Sequence, residues 1–208
     1  CRENTEKIKL EVKEEEQETL EIHELNPIID EVTRFVEPVF SDSIISKEVL
    51  FYKELDSTGT VTPIPMDRAV ILYKNMMRRQ RVSSLPIFEV LDTNTAVLVV
   101  QGAGFGGAIW AKILIDKETL EIKGIAFEHK AESEGYGDAI TNASFEDQFI
   151  GLPVNLNQKT FILNKSVNKS RGDEHIIDVV SGATTTSHGA VEMVNAGLQR
   201  YREYLKEE

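Results

Sequence analysis

Five hydroxyl side chains fall within seven positions near the carboxyl end of the chain: Ser181, Thr184, Thr185, Thr186 and Ser187, set around Gly182 and Ala183. Hydroxyls at such a density do one of two things. They cap a helix, because a Ser or Thr oxygen accepts from N–H groups that lack a partner in the first turn. Or one of them is a covalent attachment point. An amphipathic pattern comes directly after, with Val191, Val194, Leu198, Tyr201 and Leu205 at steps of three and four. This spacing predicts a helix from about His188 to Leu205, with Thr186 or Ser187 as its N-cap. The same helix start offers free N–H groups and a partial positive charge, which together favour a phosphate near Thr184. Gly182 and Ala183 leave that approach open. A serine hydrolase is not indicated, since there is no G-x-S-x-G elbow and no histidine and acid to assign as partners.

Other chemistries find less support. Gly102, Gly104 and Gly107 satisfy G-x-G-x-x-G, but a dinucleotide turn needs a helix after it. The next residues are "AIWAKILID", which read as a strand, so the glycines are expected to form a hairpin connection beside a ligand rather than a Rossmann turn. Cys1 is the only cysteine, and His23, His129, His175 and His188 are scattered; no metal site is expected. A formal net charge of −12 repels phosphate backbones and argues against nucleic acid as a partner. Arg78, Arg79 and Arg81 are expected to complement the dipole of a helix that ends there. No run of about 20 apolar residues suggests a membrane span.

These residues need a scaffold, and 208 residues with 41% hydrophobic content suffice for one sizeable core. Residues 3–24, with the run "KEEEQE", read as an exposed helix or stalk. Asn26-Pro27 marks a helix start, and Ile28, Ile29, Val32, Phe35, Val36 and Val39 come next at helical spacing. A second helix is predicted from Asp67 to about Gln80, burying Val70, Tyr73 and Met77. From Pro86 the period changes to that of strands: "IFEVL", "TAVLVVQ", "AIWAKILID" and "LEIKGIAFEH". Their short links suit antiparallel neighbours. "GYGDAITNAS" reads as a loop and "DEHIIDVV" as a further short strand. The expected fold class is α+β, an antiparallel sheet core with helices at both ends of the chain.

The segment "DVVSGATTTS" resembles the flavinylation motif D-x-x-S/T-G-A-T of FMN-binding subunits of respiratory ion pumps. These are the G subunit of Rnf complexes and the C subunit of the sodium-pumping NADH:quinone reductase. The resemblance implies that Thr184 carries FMN through a phosphoester bond made by a flavin transferase with FAD as donor. Asp178, Ser181, Gly182 and Ala183 match the rest of the motif, with Thr185 beside the acceptor. "GAGFGGAIWAKILID" is similar to the family's glycine-rich turn and the strand after it. "EHKAESEGYGDAI" is similar to its H-x-E-T-P-G-L-G segment near the flavin, which brings in Glu132, Gly135, Gly137 and, as a stacking neighbour, Tyr136. That segment departs from the pattern: one residue is inserted after Lys130, Ser133 replaces Thr, Glu134 replaces Pro and Tyr136 replaces Leu. On charge patterning alone, Glu132 and Glu134 would equally suit a solvated acidic loop.

Taken together, the resemblance implies a covalent-FMN electron carrier inside a membrane-bound, ion-translocating oxidoreductase of Rnf or Nqr type. No autonomous catalytic site is expected, because the isoalloxazine carries the redox chemistry. Residues 1–85 would form a membrane-proximal helical region packing on the core, and residues 86–208 the FMN-binding domain. The amino-terminal segment leans toward the Rnf type. Partners would be the other subunits of the complex and the maturing transferase. The soluble domain would lie on the extracytoplasmic side, with Cys1 suggesting a lipid-modified cysteine or a trimmed membrane anchor. Two alternatives remain. One is a stand-alone FMN-binding lipoprotein of extracytoplasmic electron transfer; the other is a flavin-free periplasmic binding module in which Thr184 is structural.

Overall fold

In the computed structural model, residues 26–39, 49–78, 82–164 and 174–206 are described. The expected helix or stalk over residues 3–24, and Arg79 and Arg81, lie outside them, as does the side chain of Val39. Helix α1 spans Pro27–Val36, and the Asn26 side chain accepts from the Ile28 N–H at 3.2 Å, the expected cap. Val32 and Val36 are buried, with Ile28, Ile29 and Phe35 packed against the core. Helix α2 spans Met66–Met77 and buries Val70 and Tyr73. No helix among the described residues is long and apolar enough to cross a membrane.

Six antiparallel strands form the main sheet: β1 Leu50–Leu55, β2 Val61–Pro63, β3 Leu85–Val90, β4 Thr95–Ala103, β5 Ala108–Asp116 and β6 Ile122–His129. Their order is β2-β1-β3-β4-β5-β6. The last four are the strands expected from the sequence. The first two fall where no strand was expected. Lys53 and Glu54 interrupt the apolar pattern of β1, which buries only its end residues, Leu50 and Leu55. Six paired positions with β3, not an apolar face, hold it extended.

Helices cover both faces. Phe88 meets the Tyr73 ring of α2 edge-on at 6.2 Å between centroids, and stands opposite Val97 in register. Val100, three residues on, therefore points to the other face, where it touches Gly197 of the long helix α4, Thr184–Arg200. With both faces covered, Thr95 to Val100 are buried without a break, the signature of a strand sandwiched between layers. Short strands β7 Phe161–Leu163 and β8 His175–Ile177 pair in parallel beside α4. The Asn195 amide locks β7 to the helix, accepting from the Thr160 and Phe161 N–H groups at 3.0 Å each and donating to the Phe161 carbonyl at 2.8 Å. After α4 comes α5, Arg202–Leu205. Between them the buried Tyr201 hydroxyl lies 3.0 Å from the carbonyls of both Pro86 and Val99. The apolar stripe expected for the last helix, Val191, Val194, Leu198, Tyr201 and Leu205, is buried throughout. "GYGDAITNAS" is not plain loop; it forms a 3-10 turn, Gly137–Thr141, and a short helix α3, Ala143–Glu146. Phe145 and Phe149 hold this segment down by packing against Phe127 at 5.4 and 5.5 Å.

A charge is buried on the opposite face. Lys112 of β5 is 5% exposed and pairs with Glu31 of α1 and Glu128 of β6, while the Tyr73 hydroxyl donates to Glu31 at 2.9 Å. Burial opposes ionisation of Glu31, but the Lys112 ammonium and the Tyr73 hydroxyl outweigh it, and its carboxyl sits below the ordinary value. Burial likewise opposes the Lys112 charge, and the two carboxylates more than offset this, raising its pKa. Lys112→Met should lower the free energy of unfolding by about 1–3 kcal/mol in urea titration, less than for a fully buried pair because both carboxylates keep solvent contact. The depressed folded-state pKa of Glu31 means that its contribution is present above its unfolded value of 4.5. That contribution is lost as pH falls through the folded value, so acid should narrow the gap between wild type and Lys112→Met.

Candidate functional site

Helix α4 begins at Thr184, four residues earlier than the apolar pattern indicates, and Ala183 stands at its N-cap position with no side-chain cap. Neither Thr186 nor Ser187 is the cap. The chain enters through a turn closed by the Ala183 N–H on the Val180 carbonyl at 3.0 Å, with Gly182 at φ +74°. The Ser187 N–H then makes the first helical bond, to the Ala183 carbonyl at 2.9 Å. Ser187 Oγ reaches back to accept from the Val180 N–H at 3.0 Å. Thr186 Oγ1 donates to Glu132 Oε2 at 2.7 Å and accepts from the Phe105 N–H at 3.4 Å. These contacts to other segments carry the helix back through a run of poor helix formers, a tertiary override of propensity.

The five hydroxyls are thereby sorted. Thr186 and Ser187 are 2% and 0% exposed and committed. Thr184, Thr185 and Ser181 are exposed. Thr184 and Thr185, but not Ser181, line a cleft of about 350 Å³ with Gly182, Ala183, Glu132 and Tyr136. Phe105, Ser133, Gly137 and Thr186 complete its wall. Volume alone does not pick this cleft. Grooves of about 480 Å³, by Leu120 and Leu205, and about 700 Å³, by Met77 and Trp110, are larger, but the first turn of α4 lines neither.

Glu132 is not part of a solvated acidic loop. Its Oε1 accepts from the Gly106 N–H at 2.8 Å, its Oε2 from Thr186, and its own N–H donates to His129 Nδ1 at 3.2 Å. Glu134 is exposed. Asp178 and Gly135 do not line the cleft, and neither does Ser181. Asp178 instead steadies the strand leading into the turn, its carboxylate accepting from Asn164 Nδ2 at 2.7 Å and its N–H donating to Gln148 Oε1 at 2.6 Å. Gly135 has φ +75°, and makes the bend that delivers Tyr136.

The glycine-rich segment is the expected hairpin turn: β4 and β5 pair in register up to Ala103 and Ala108, and the Gly104 N–H donates to the Gly107 carbonyl at 2.8 Å. It leads into strand β5 and not into a helix, so it does not cradle a pyrophosphate in the Rossmann manner. Phe105, at its tip, was not singled out from the sequence as a site residue. The signal was a large apolar side chain inside a run of glycines. Glu132→Ala should cost about 1–2 kcal/mol, since it leaves the Gly106 and Thr186 donors without their charged acceptor. Glutamine should restore part of this loss, because its amide oxygen still accepts from Gly106. Thermal unfolding of the three proteins checks both.

Residues 104–199 match the family of FMN-binding domains. The chain is 26% identical over 198 residues to the C subunit of the Na(+)-translocating NADH-quinone reductase of Chlamydia pneumoniae, covering 83% of this chain and 62% of that one. Against the C subunit of the Vibrio alginolyticus reductase it is 28% identical over 115 residues, covering 53% and 45%. It thus spans about half the length of these curated relatives. The fold matches a crystal structure of the C subunit from Parabacteroides distasonis, with a TM-score of 0.63, 24% identity and 78% and 81% of the two chains covered. It also matches the Shewanella oneidensis NqrC structure at 0.61, with 20% identity and 85% and 97% covered. The matched region runs from the glycine hairpin into the last turn of α4 and contains every residue that lines the cleft.

Proposed function

We propose that this chain is an electron-carrier subunit whose FMN is joined to Thr184 by a phosphoester bond. The observation that carries the proposal is the sorting of the hydroxyls. Of the five clustered hydroxyls, Thr186 and Ser187 are buried and hydrogen-bonded, Ser181 is exposed away from the cleft, and Thr184 and Thr185 line the cleft at a helix N-terminus. Thr184 is the one at the position of the resembling motif.

The residues present fit the cofactor. The first turn of α4 has no side-chain cap, so its leading N–H groups remain for a phosphate. The cleft volume falls in the range of small-molecule sites. Phe105 and Tyr136 supply apolar surface, and Gly182, without a side chain, leaves room for the Tyr136 ring. FMN supplies the redox chemistry when bound; the protein holds, orients and partly shields it. A covalent tether prevents loss of the cofactor and removes the need for full enclosure, leaving an edge open to a redox partner.

The curated relatives are C subunits of sodium-translocating NADH-quinone reductases, and we take that type of complex, rather than Rnf, as the host. The segment that leaned toward Rnf lies outside the described residues. In this reading residues 86–208 form the flavin-carrying part, residues 1–85 form the membrane-proximal region packed on that core, and the flavin lies on the extracytoplasmic side. A flavin transferase matures the protein, and the other subunits of the complex exchange electrons with it.

Intact-mass measurement after co-expression with a flavin transferase tests the bond. The protein should gain the mass of FMN less one water. Thr184→Ala should abolish the gain and Thr185→Ala should retain it. No gain in the unsubstituted protein would overturn the proposal, and the reverse pattern would move the acceptor to Thr185.

A further inference from the structure

We propose that Phe105 and Tyr136 form two aromatic walls that bracket the isoalloxazine of the flavin carried at Thr184, and so set where the ring sits. The inference rests on the covalent reading and concerns what that reading leaves open, the placement of the ring.

Phe105 is 77% exposed and Tyr136 is 58% exposed, the two highest values among the exposed large apolar side chains of the described residues. Each ring in water forgoes about 1.5–3 kcal/mol of burial. Isolated exposed apolar residues are ordinary, but a pair on one concave surface marks a binding site. Both line the cleft that contains Thr184.

Each is anchored to a residue two positions from Thr184 in the chain. The Tyr136 ring lies against Gly182, where an added Cβ would come within 2.7 Å of Tyr136 Cδ1. Gly182 is two residues before Thr184. Phe105 is held by its N–H on Thr186 Oγ1 at 3.4 Å, two residues after Thr184. The backbone of each ring is also fixed independently of a ligand. The Tyr136 N–H donates to the Ser133 carbonyl at 3.1 Å. Phe105 belongs to the turn that Glu132 ties down through Gly106. A flat apolar ring on a tether gains most from aromatic faces already in place, since little side-chain freedom remains to be lost.

Tyr136 stands where the resembling family segment has leucine, so this wall has a property that leucine lacks. A phenol in contact with a flavin quenches its fluorescence by lending one electron to the excited ring and taking it back, with no net chemistry. Phenylalanine keeps the wall but is too hard to oxidise to do this. The fluorescence of the attached flavin therefore reports the Tyr136 contact, and its accessibility to iodide reports the Phe105 wall.

The test uses the chain matured with a flavin transferase, with FMN attachment verified by intact mass for each variant. The wild-type flavin should be weakly fluorescent. Tyr136→Leu and Tyr136→Phe should each brighten it several-fold at unchanged FMN mass. Phe105→Ala should raise the iodide quenching constant measured in the Tyr136→Phe background. Equal fluorescence of wild type and both Tyr136 variants, all carrying FMN, would overturn the Tyr136 wall. An unchanged iodide constant would overturn the Phe105 wall. Should Tyr136→Leu fail to fold or to load, Tyr136→Phe carries the same comparison. A missing FMN mass in the wild type would remove the Thr184 reading and the bracket with it, a result that the mass spectrum separates from an unstacked but attached flavin.

Discussion

One carboxylate joins the three segments that make the cleft. Glu132 receives the Thr186 hydroxyl from the start of α4 and the Gly106 N–H from the tip of the β4–β5 hairpin, while its own segment continues into Tyr136. Bonds to an ionised acceptor are stronger than neutral ones, and here two of them close a gap between elements 26 and 54 residues away in sequence. Glu132 therefore shapes the site by holding its walls together.

That clip works because helix and sheet are already close. Gly189, on the second turn of α4, sits so near the Ala103 carbonyl that a Cβ there would come within 2.1 Å of the oxygen. Any side chain would push the first turn of the helix away from the hairpin and take Thr186 out of reach of Glu132. Farther along, the Asn195 amide and the Tyr201 hydroxyl tie the same helix to β7, β3 and β4. The cleft lies at one end of this rigid contact, so the Thr184 hydroxyl is presented by a helix anchored along most of its length. Such anchoring fixes where that oxygen stands relative to the cleft.

The other face of the sheet has a different role. The Lys112–Glu31 ion pair fastens α1 to β5, and the Tyr73 hydroxyl joins α2 to the same carboxylate by a hydrogen bond. These contacts fix which helix surface meets the strands, and they keep β5 covered on the side away from the cleft. Strand β5 begins at the glycine turn, so this cover supports the hairpin from behind.

Much of this was legible in the residue order. Strands β3 to β6, the Asn26 cap, the hairpin reading of the glycine segment and the stripe of α4 stem from local periodicity and turn chemistry, which act between near neighbours in the chain. Strands β1 and β2 did not, since their extended state comes from pairing with β3 rather than from an apolar face of their own. The hydroxyl cluster shows the same division. Composition and spacing determined that a hydroxyl-rich segment stands at the start of a helix. Which hydroxyls remain free was decided by partners far away in the chain: Glu132 takes Thr186, the Val180 amide takes Ser187, and the helix starts at Thr184 instead of His188. Local pattern specifies elements, because periodicity is a property of neighbours. Only the tertiary structure assigns individual oxygen atoms, because each hydrogen bond needs a partner that the fold alone brings within about 3 Å.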